Sequence, residues 1–311
     1  MYPLRAIILD KKVLDWLLAG PAWLKYAVEL QLLNAHPDVA LVFQDAAIQK
    51  VVARLRDKDV GIPALKSGKV HYTESGKAYW DLFFLADIGF SVSDLGLEKE
   101  AAEIFKYQSA DGSFTIPPNV RDNYFCMSSI LLSSLTKMGY RRDPRLEKYT
   151  RLLISSQSYG GGWHCYDDEF GRVEIGACPM ANLNALMLLG QYETYRRSPA
   201  FKSAIDLLLQ HWRIRANLHN FGVGRRFTSL QYPAVKYGIL RVLDALSLFP
   251  YAIKSPDFQN MLDYVHNKAL DGRYYAESFD STYAGFDFAQ DMQPSRWITF
   301  LVARIDKRVE D

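Results

Sequence analysis

The sequence lacks the features that mark several broad classes of protein. Its charge is nearly balanced, at +2 with 23% charged residues, so nothing in it favours nucleic acid or an anionic membrane as a partner. No apolar run reaches the roughly 18 residues that a membrane-spanning helix requires, and residues 1–10 do not resemble a signal peptide. Three cysteines are an odd number for a disulfide framework. We therefore expect a cytoplasmic protein with reduced thiols and no transmembrane segment.

Strand signals are also nearly absent, both as polar–apolar alternation and as tight hairpin turns. The chain is instead 49% apolar and 14% aromatic, enough for a large core or an aromatic-lined cavity. Apolar periodicity predicts helices along most of its length. The predicted helices cover 11–34 (broken at Gly20-Pro21), 38–55, 77–88, 94–107, 122–135, 143–154, 180–189, 198–212, 233–249, 256–268 and 295–307.

A glycine-rich turn joins two of these helices near the middle of the chain. It runs from Gln157 through three consecutive glycines, at 160–162, to Trp163. Glycine permits backbone angles that other residues hold only at a cost in free energy. We expect Gln157 to bond to backbone groups of the turn and Trp163 to seal the seam to the next pair of helices.

The same turn recurs along the chain. A copy with phenylalanine in place of tryptophan begins at Gln108, and a weaker copy begins at Asn267. Apolar helices between the copies end at Gly89, Gly139 and Gly190. A spacing of about fifty residues, with two helices in each unit, indicates a repeat architecture.

The two helices of each unit differ in polarity, since one is apolar on nearly all sides and the other is amphipathic. This alternation indicates two concentric layers, closed as an α/α toroid of about five to six helical hairpins, with an open α-solenoid as the alternative. We expect residues 1–311 to form one such domain, with 1–35 as helices that pack on the barrel. The starts of the inner helices would then surround one mouth of a central cavity, with their positive dipole ends directed at it.

The Gln-x-x-x-Gly-x-Trp order of the central turn resembles the repeat of squalene cyclases and related prenyltransferases. Other stretches resemble bacterial proteins of unknown function that carry these repeats; they are 15–22, 84–89, 231–240 and 293–299. The resemblance spans nearly the whole chain and implies the α/α toroid. It says much less about a reaction, because a fold does not determine chemistry.

Squalene-hopene-type cyclases protonate an alkene with an Asp-x-Asp-Asp acid at the start of an inner helix. The only adjacent aspartates here, Asp167 and Asp168, lie in a loop about ten residues before the next inner helix. The acid motif is therefore absent in its usual form, although both aspartates remain candidate catalytic residues.

Protein prenyltransferases hold zinc with an Asp-x-Cys at one inner helix and a histidine at a later one. Matching the glycine-rich turns places Cys178 on the cysteine ligand, but Gly176 takes the aspartate position, and residues 230–233 contain no histidine. A catalytic zinc needs three protein ligands, so that site is not carried over. Arg172 alone corresponds to the basic residues that hold the diphosphate in that family.

A second zinc site is suggested by the residues around the central turn. His164, Cys165 and Cys178 are residue types that bind zinc, with Asp167 and Asp168 beside them. Their spacing fits no standard zinc finger or ribbon. One alternative is a bound zinc ion. The other is an ordinary polar loop with reduced cysteines, in which Cys178, at the N-terminus of a helix, is a candidate nucleophile.

Candidate substrate-binding residues fall near inner-helix starts. Arg172, Lys236 and Arg296 suit a diphosphate or carboxylate, and Tyr232 and Trp297 suit a prenyl chain or carbocation. The alternative is that the charges are solvated and the aromatic rings pack in the core. Cys126, one turn into its helix, either faces the same cavity or is a buried, inert thiol.

These features favour a toroid that binds an isoprenoid or another elongated apolar ligand, such as a prenyl diphosphate, in a central cavity. As an enzyme it would be a terpenoid cyclase or prenyltransferase without the usual acid and zinc motifs. Two alternatives are a non-catalytic lipid-binding or protein-interaction toroid, and a glycan-active α/α-barrel enzyme. The last requires carboxylates such as Asp168 and Asp291 to approach each other across the mouth.

Overall fold

The computed structural model describes residues 10–67, 70–72, 74–116, 125–167, 173–218, 221–233, 237–290 and 292–311. The chain is mostly helical, with 60% helix and 4% strand, which confirms the all-α class. Within the described ranges, no helix is both long and apolar enough to cross a bilayer. The α-helices are α1 (Lys11–Leu18), α2 (Ala22–Gln31), α3 (Ala46–Arg56), α4 (Ala78–Ile88), α5 (Glu98–Phe105), α6 (Phe125–Lys137), α7 (Pro144–Ser155), α8 (Pro179–Leu189), α9 (Glu193–Arg196), α10 (Lys202–Ile214), α11 (Arg225–Thr228), α12 (Ile239–Leu246), α13 (Pro250–Ile253), α14 (Pro256–His266) and α15 (Arg296–Glu310).

Two predicted helices have different limits in the structure. The helix expected from Asp38 is divided, because Asp38 caps only a short 3-10 turn and Asp45 caps α3. The Asp45 carboxylate accepts the Ala47 N–H at 2.9 Å and thereby fixes a new helix start. The helix expected over 233–249 is limited to α12, which follows the extended residue Gly238.

Two short hairpins were not foreseen. Strand β1 (His164–Asp167) pairs antiparallel with β2 (Val173–Ala177), and β3 (Asn217–Leu218) pairs with β4 (Phe221–Gly222). The first hairpin lies between the central glycine-rich turn and α8. The turn therefore leads into α8 through an antiparallel ladder rather than through an irregular loop.

Burial separates the helices into two groups, as their polarity predicts. Every residue of α4 and α8 is buried, and so is almost all of α6. Helices α5, α7, α10 and α14 bury one face and expose the other. A helix that is apolar on all sides must be surrounded by protein, so α4, α6 and α8 are inner helices.

The inner helices follow one another in space. Helix α4 packs on α6, α6 on α8, α8 on α12, α12 on α15, α15 on α2, and α2 on α4. Outer helices pack against this set, with α3 on α4, α7 on α6, α10 on α8 and α14 on α12. The N-terminal helix α2 thus lies between the first and the last helix of the series.

The central turn is held by Gln157 and Trp163. The Gln157 side chain accepts the Gly162 N–H at 3.2 Å, and Gly162 has a φ of +76°. The buried Trp163 indole donates to the Leu153 carbonyl at 2.9 Å and stacks on Phe201 of the next unit, with ring centroids 6.4 Å apart. These contacts confirm both of the roles expected from the sequence.

A polar residue in the first turn of the next inner helix binds the backbone at the aromatic position. Asn182 accepts the Trp163 N–H at 3.1 Å and donates to the carbonyls of Trp163 and Cys178 at 2.7 and 2.8 Å. In the third copy, the Thr299 hydroxyl accepts the Tyr274 N–H at 3.0 Å. The turns therefore share a way of attaching to inner helices, which the sequence pattern did not reveal.

Candidate functional site

Cys126 and Cys178 lie at the starts of two neighbouring inner helices. Cys126 is the second residue of α6, and Cys178 directly precedes α8. Both cysteine side chains are buried. Burial, and next the nearby Cys178, raise the pKa of Cys126 to about 12. The Cys126 thiol is therefore protonated at neutral pH, as expected for an inert cysteine.

A buried arginine that the sequence analysis did not select lies beside these thiols. Arg241, in the first turn of α12, is 5% exposed. Its guanidinium donates to the Asn184 side-chain oxygen, and its Cζ lies 4.9 Å from the centroid of the Trp80 ring. Burial lowers the pKa of Arg241 to about 10, so the group is still charged at neutral pH. It also interacts electrostatically with Cys126.

Tyr237 completes this group from the segment before α12. Its hydroxyl lies 3.2 Å from His211 Nδ1, and the other nitrogen of that ring lies 2.9 Å from the Ala216 carbonyl oxygen. Burial, and next the nearby Cys178, raise the pKa of Tyr237. We call Trp80, Cys126, Cys178, Tyr237 and Arg241 the rim cluster. Four of these residues lie in or next to the first turn of an inner helix, and Tyr237 lies two residues before α12.

A small cavity lies between α4, α12 and α15. Its volume is about 20 Å³, room for about one water molecule. Tyr232 closes one side, and its hydroxyl donates to Asp87 at 2.9 Å. The lining residues are Phe83, Asp87, Gln231, Tyr232, Leu240, Arg241, Asp244, Leu301 and Arg304.

Ion pairs continue from this cavity toward the other ends of the inner helices. Asp87 pairs with Lys137 at 2.6 Å and with Arg304 at 3.6 Å. Asp244 pairs with Arg304 at 2.8 Å and with Arg308 at 2.9 Å. Burial alone would raise the pKa of Asp244, but Arg304 and Arg308 lower it below its ordinary range. Each of these charged side chains has an oppositely charged partner, so together they form a structural network more readily than a reactive site.

Tyr232, Trp297 and Arg296 lie in different surroundings from the rim cluster. Tyr232 and Trp297 are buried in contact with each other, with ring centroids 5.4 Å apart. Both belong to an aromatic core that also includes Phe84. The Arg296 guanidinium stacks on Trp16 at 4.7 Å and donates to its carbonyl at 3.1 Å. For these three, the packing alternative fits the observed contacts better than a ligand site does.

Several predicted site residues lie outside the described residues or have side chains outside them. Asp168, Arg172, Lys236 and Asp291 belong to the first group. Cys165 and Asp167 belong to the second: their backbones are in β1, with Cys165 opposite Gly176 and Asp167 opposite Val173. The approach of Asp168 to Asp291 therefore stays a prediction.

The predicted zinc ligands are only partly described. His164 is in β1, opposite Ala177, which precedes Cys178. Among the described residues, no group of three histidine, cysteine or acidic side chains is arranged to hold a metal ion. Because the Cys165 side chain is not among them, zinc binding by His164, Cys165 and Cys178 stays a prediction.

The buried charges were missed although the sequence contains a signal for them. Asp81 and Asp87 interrupt the otherwise apolar helix α4, and Arg241 interrupts α12. An ionisable residue within a fully buried helix must be paired, or must serve a function. Asp81 is paired, with Arg54 at 2.6 Å, and it also accepts the Tyr283 hydroxyl at 2.8 Å.

No protein-family profile matches this chain, and no curated protein matches it at a significant level.

Proposed function

We propose that this chain is an α/α toroid of the prenyltransferase and squalene-cyclase type. The order of the inner helices, from α2 through α4, α6, α8 and α12 to α15 and back to α2, supports a closed ring. Contacts between the two ends of the chain disfavour an open solenoid. The Lys307 amine donates to the Gln31 carbonyl at 3.1 Å, and Arg304 donates to the Gln31 side chain at 3.1 Å.

We propose further that the rim cluster binds a ligand with an anionic head and an elongated apolar tail, as in a prenyl diphosphate. The observation that carries this proposal is Arg241, a charged guanidinium held in dry surroundings at the start of an inner helix. A guanidinium presents a planar fork of donors that fits diphosphate and carboxylate oxygens. Trp80 and Tyr237 supply aromatic surface suited to an isoprenoid chain.

The size of the central cavity decides where the tail must lie. Pockets for small molecules typically enclose about 300–1,000 Å³, whereas the cavity between α4, α12 and α15 encloses about 20 Å³. An isoprenoid tail cannot enter it without displacing Tyr232 and its neighbours. The proposed site is therefore the rim cluster, which meets this cavity at Arg241, rather than the cavity itself.

As an enzyme, the protein would belong with the terpenoid cyclases and prenyltransferases. The Cys126 thiol does not qualify as the nucleophile, because burial keeps it protonated. Asp167, Asp168 and Cys178 stay the proposed catalytic residues.

Thermal unfolding with and without ligand tests the binding proposal. Farnesyl and geranylgeranyl diphosphate are compared with farnesol, which lacks the anionic head, and with inorganic diphosphate, which lacks the tail. A ligand at 100 times its Kd adds about 2.7 kcal/mol of stability. We expect the prenyl diphosphates to give the largest shift and Arg241→Lys to reduce it, since lysine keeps the charge and loses the fork.

Arg213→Lys is the matched control for this experiment. Arg213 is an exposed arginine that pairs with Asp257 at 3.2 Å on the outer layer. Its substitution should leave the ligand shift unchanged. No shift of the wild-type protein with any of the four compounds would overturn the binding proposal.

The second candidate function is a non-catalytic lipid-binding or protein-interaction toroid. The observation that favours it is the central interior, which is occupied by Tyr232 and by the ion pairs of Asp87, Asp244 and Arg304. A protein whose interior is filled by its own side chains does not need a substrate there. Absence of any ligand shift would make this candidate the better explanation.

A further inference from the structure

Two tyrosine hydroxyls near the rim cluster are buried without hydrogen-bond partners. Tyr79 is the second residue of α4 and is fully buried, and Tyr107 follows the end of α5. Among the residues that the structure describes, neither hydroxyl has a partner. Native proteins satisfy nearly all buried polar groups, so each exception requires an explanation.

Tyr79 directly precedes Trp80 of the rim cluster and interacts electrostatically with Tyr107. Burial raises the pKa of Tyr79, and Cys126 and Tyr107 raise it further, which requires both groups to be nearby. Burial, and next the nearby Glu103 carboxylate, raise the pKa of Tyr107. Both phenols are therefore protonated at neutral pH and can donate. Since Cys126 belongs to the rim cluster, the pair adjoins the proposed ligand site.

A third buried tyrosine in the same region has hydrogen-bond partners for its hydroxyl. Tyr149, on α7, is fully buried and also interacts electrostatically with Cys126. Its hydroxyl lies 2.8 Å from the Ser128 hydroxyl and 3.0 Å from the Ser129 hydroxyl. The fold can thus provide partners for a buried phenol here. It provides none, among the described residues, for Tyr79 and Tyr107.

We infer that Tyr79 and Tyr107 form a donor pair that binds an oxygen of the ligand's anionic head. This inference rests on the proposed function, and it names two residues that determine specificity for a phosphate or carboxylate oxygen. Two neutral O–H donors without protein partners among the described residues suit an acceptor with free lone pairs. They complement Arg241, which supplies the opposite charge.

The inference predicts opposite effects on stability and on binding. Removing an unsatisfied buried hydroxyl relieves a desolvation penalty, so Tyr79→Phe and Tyr107→Phe should leave the melting temperature of the ligand-free protein unchanged or raise it by about 1–4 °C. Each should weaken binding of farnesyl diphosphate about tenfold, through loss of one hydrogen bond to a charged acceptor. Tyr149→Phe, the matched control, should lower the melting temperature and leave the affinity unchanged.

Melting temperatures and titration calorimetry of the wild-type protein and these three variants test the pair, with farnesyl diphosphate and inorganic diphosphate as probes. A fall in melting temperature for Tyr79→Phe and Tyr107→Phe like that of Tyr149→Phe would overturn the inference, since their hydroxyls would already be satisfied. Unchanged affinity in both variants, with normal wild-type binding, would overturn the pair alone. Lack of binding by the wild-type protein would overturn the proposed function and, with it, this use of the pair.

Discussion

The triple glycine of the central turn provides a sharp internal comparison, because its members have different surroundings. Gly162 has a φ of +76°, and a Cβ there would lie 2.6 Å from the Asn182 side-chain oxygen. At Gly160, φ is not in the left-handed region and a Cβ would meet nothing within 4 Å. We therefore expect Gly162→Ala to destabilise the protein and Gly160→Ala to be nearly neutral.

The magnitude for Gly162→Ala follows from two terms. Left-handed backbone costs a residue with a Cβ about 1–2 kcal/mol. The added methyl group also displaces the Asn182 amide, which holds both the N–H and the carbonyl of Trp163. Leaving a buried N–H without its partner costs about 1–3 kcal/mol, so the total is about 2–5 kcal/mol. Gly160→Ala should stay within about 1 kcal/mol of wild type, since a Cβ there mainly restricts the unfolded chain.

Urea unfolding followed by circular dichroism measures both variants. A lower midpoint for Gly162→Ala, with an unchanged slope, would report the expected loss of stability. Equal midpoints for the two variants would refute the reasoning, because they would show that neither the backbone angle nor the contact with Asn182 constrains the turn.

Three further predictions concern the buried charges and thiol. Arg304→Met should lower the free energy of unfolding by about 3 kcal/mol, since it removes a buried partner of Asp244. Arg213→Met, at an exposed arginine, should lower it by at most about 1 kcal/mol. Equal losses for the two variants would contradict the burial of the Arg304 ion pair. The pKa of Asp244 is lowered in the folded state, so the ionised carboxylate stabilises the fold fully above its unfolded pKa of about 3.9, and this stabilisation is lost as the pH falls through the folded pKa. The urea midpoint of Asp244→Asn should therefore depend less on pH below about 4 than that of the wild-type protein. Cys126 should resist iodoacetamide at pH 8 until the chain unfolds, because its pKa is raised to about 12. Peptide mass mapping measures the labelling rate, and equal rates in folded and unfolded protein would argue against the burial of Cys126.

The sequence predicted the helical repeat well because the repeat is encoded locally. Apolar positions on all sides of α4 and α8 require burial wherever these helices lie. Glycines at turns with positive φ, such as Gly112 and Gly162, are also a local requirement. Both signals can be read without knowing which distant residues they meet.

The candidate site could be predicted only in part, because its members meet through packing. Cys126 and Cys178 follow from their place at inner-helix starts, and the structure brings them together. Arg241 interrupts an apolar stretch and could have been noticed, whereas Tyr79 is an ordinary residue in the sequence and only its burial shows that it is unusual. Tyr232 was expected to face a ligand. Instead, the Tyr232 hydroxyl donates to Asp87 near the end of α4, whereas Trp80 of the rim cluster lies near the start of that helix.

The contacts between α2 and α15 are the least predictable part of the fold. In a linear repeat each unit contacts only its neighbours, and local unfolding can spread from either end. Here the Lys307 amine donates to the carbonyls of Gln31 and Leu32, at 3.1 and 3.0 Å, at the end of α2. These bonds join residues at least 275 positions apart in the sequence, so no local pattern could have indicated them. Local pattern thus specifies each helical hairpin, whereas the contacts between α2 and α15 depend on how distant hairpins pack together.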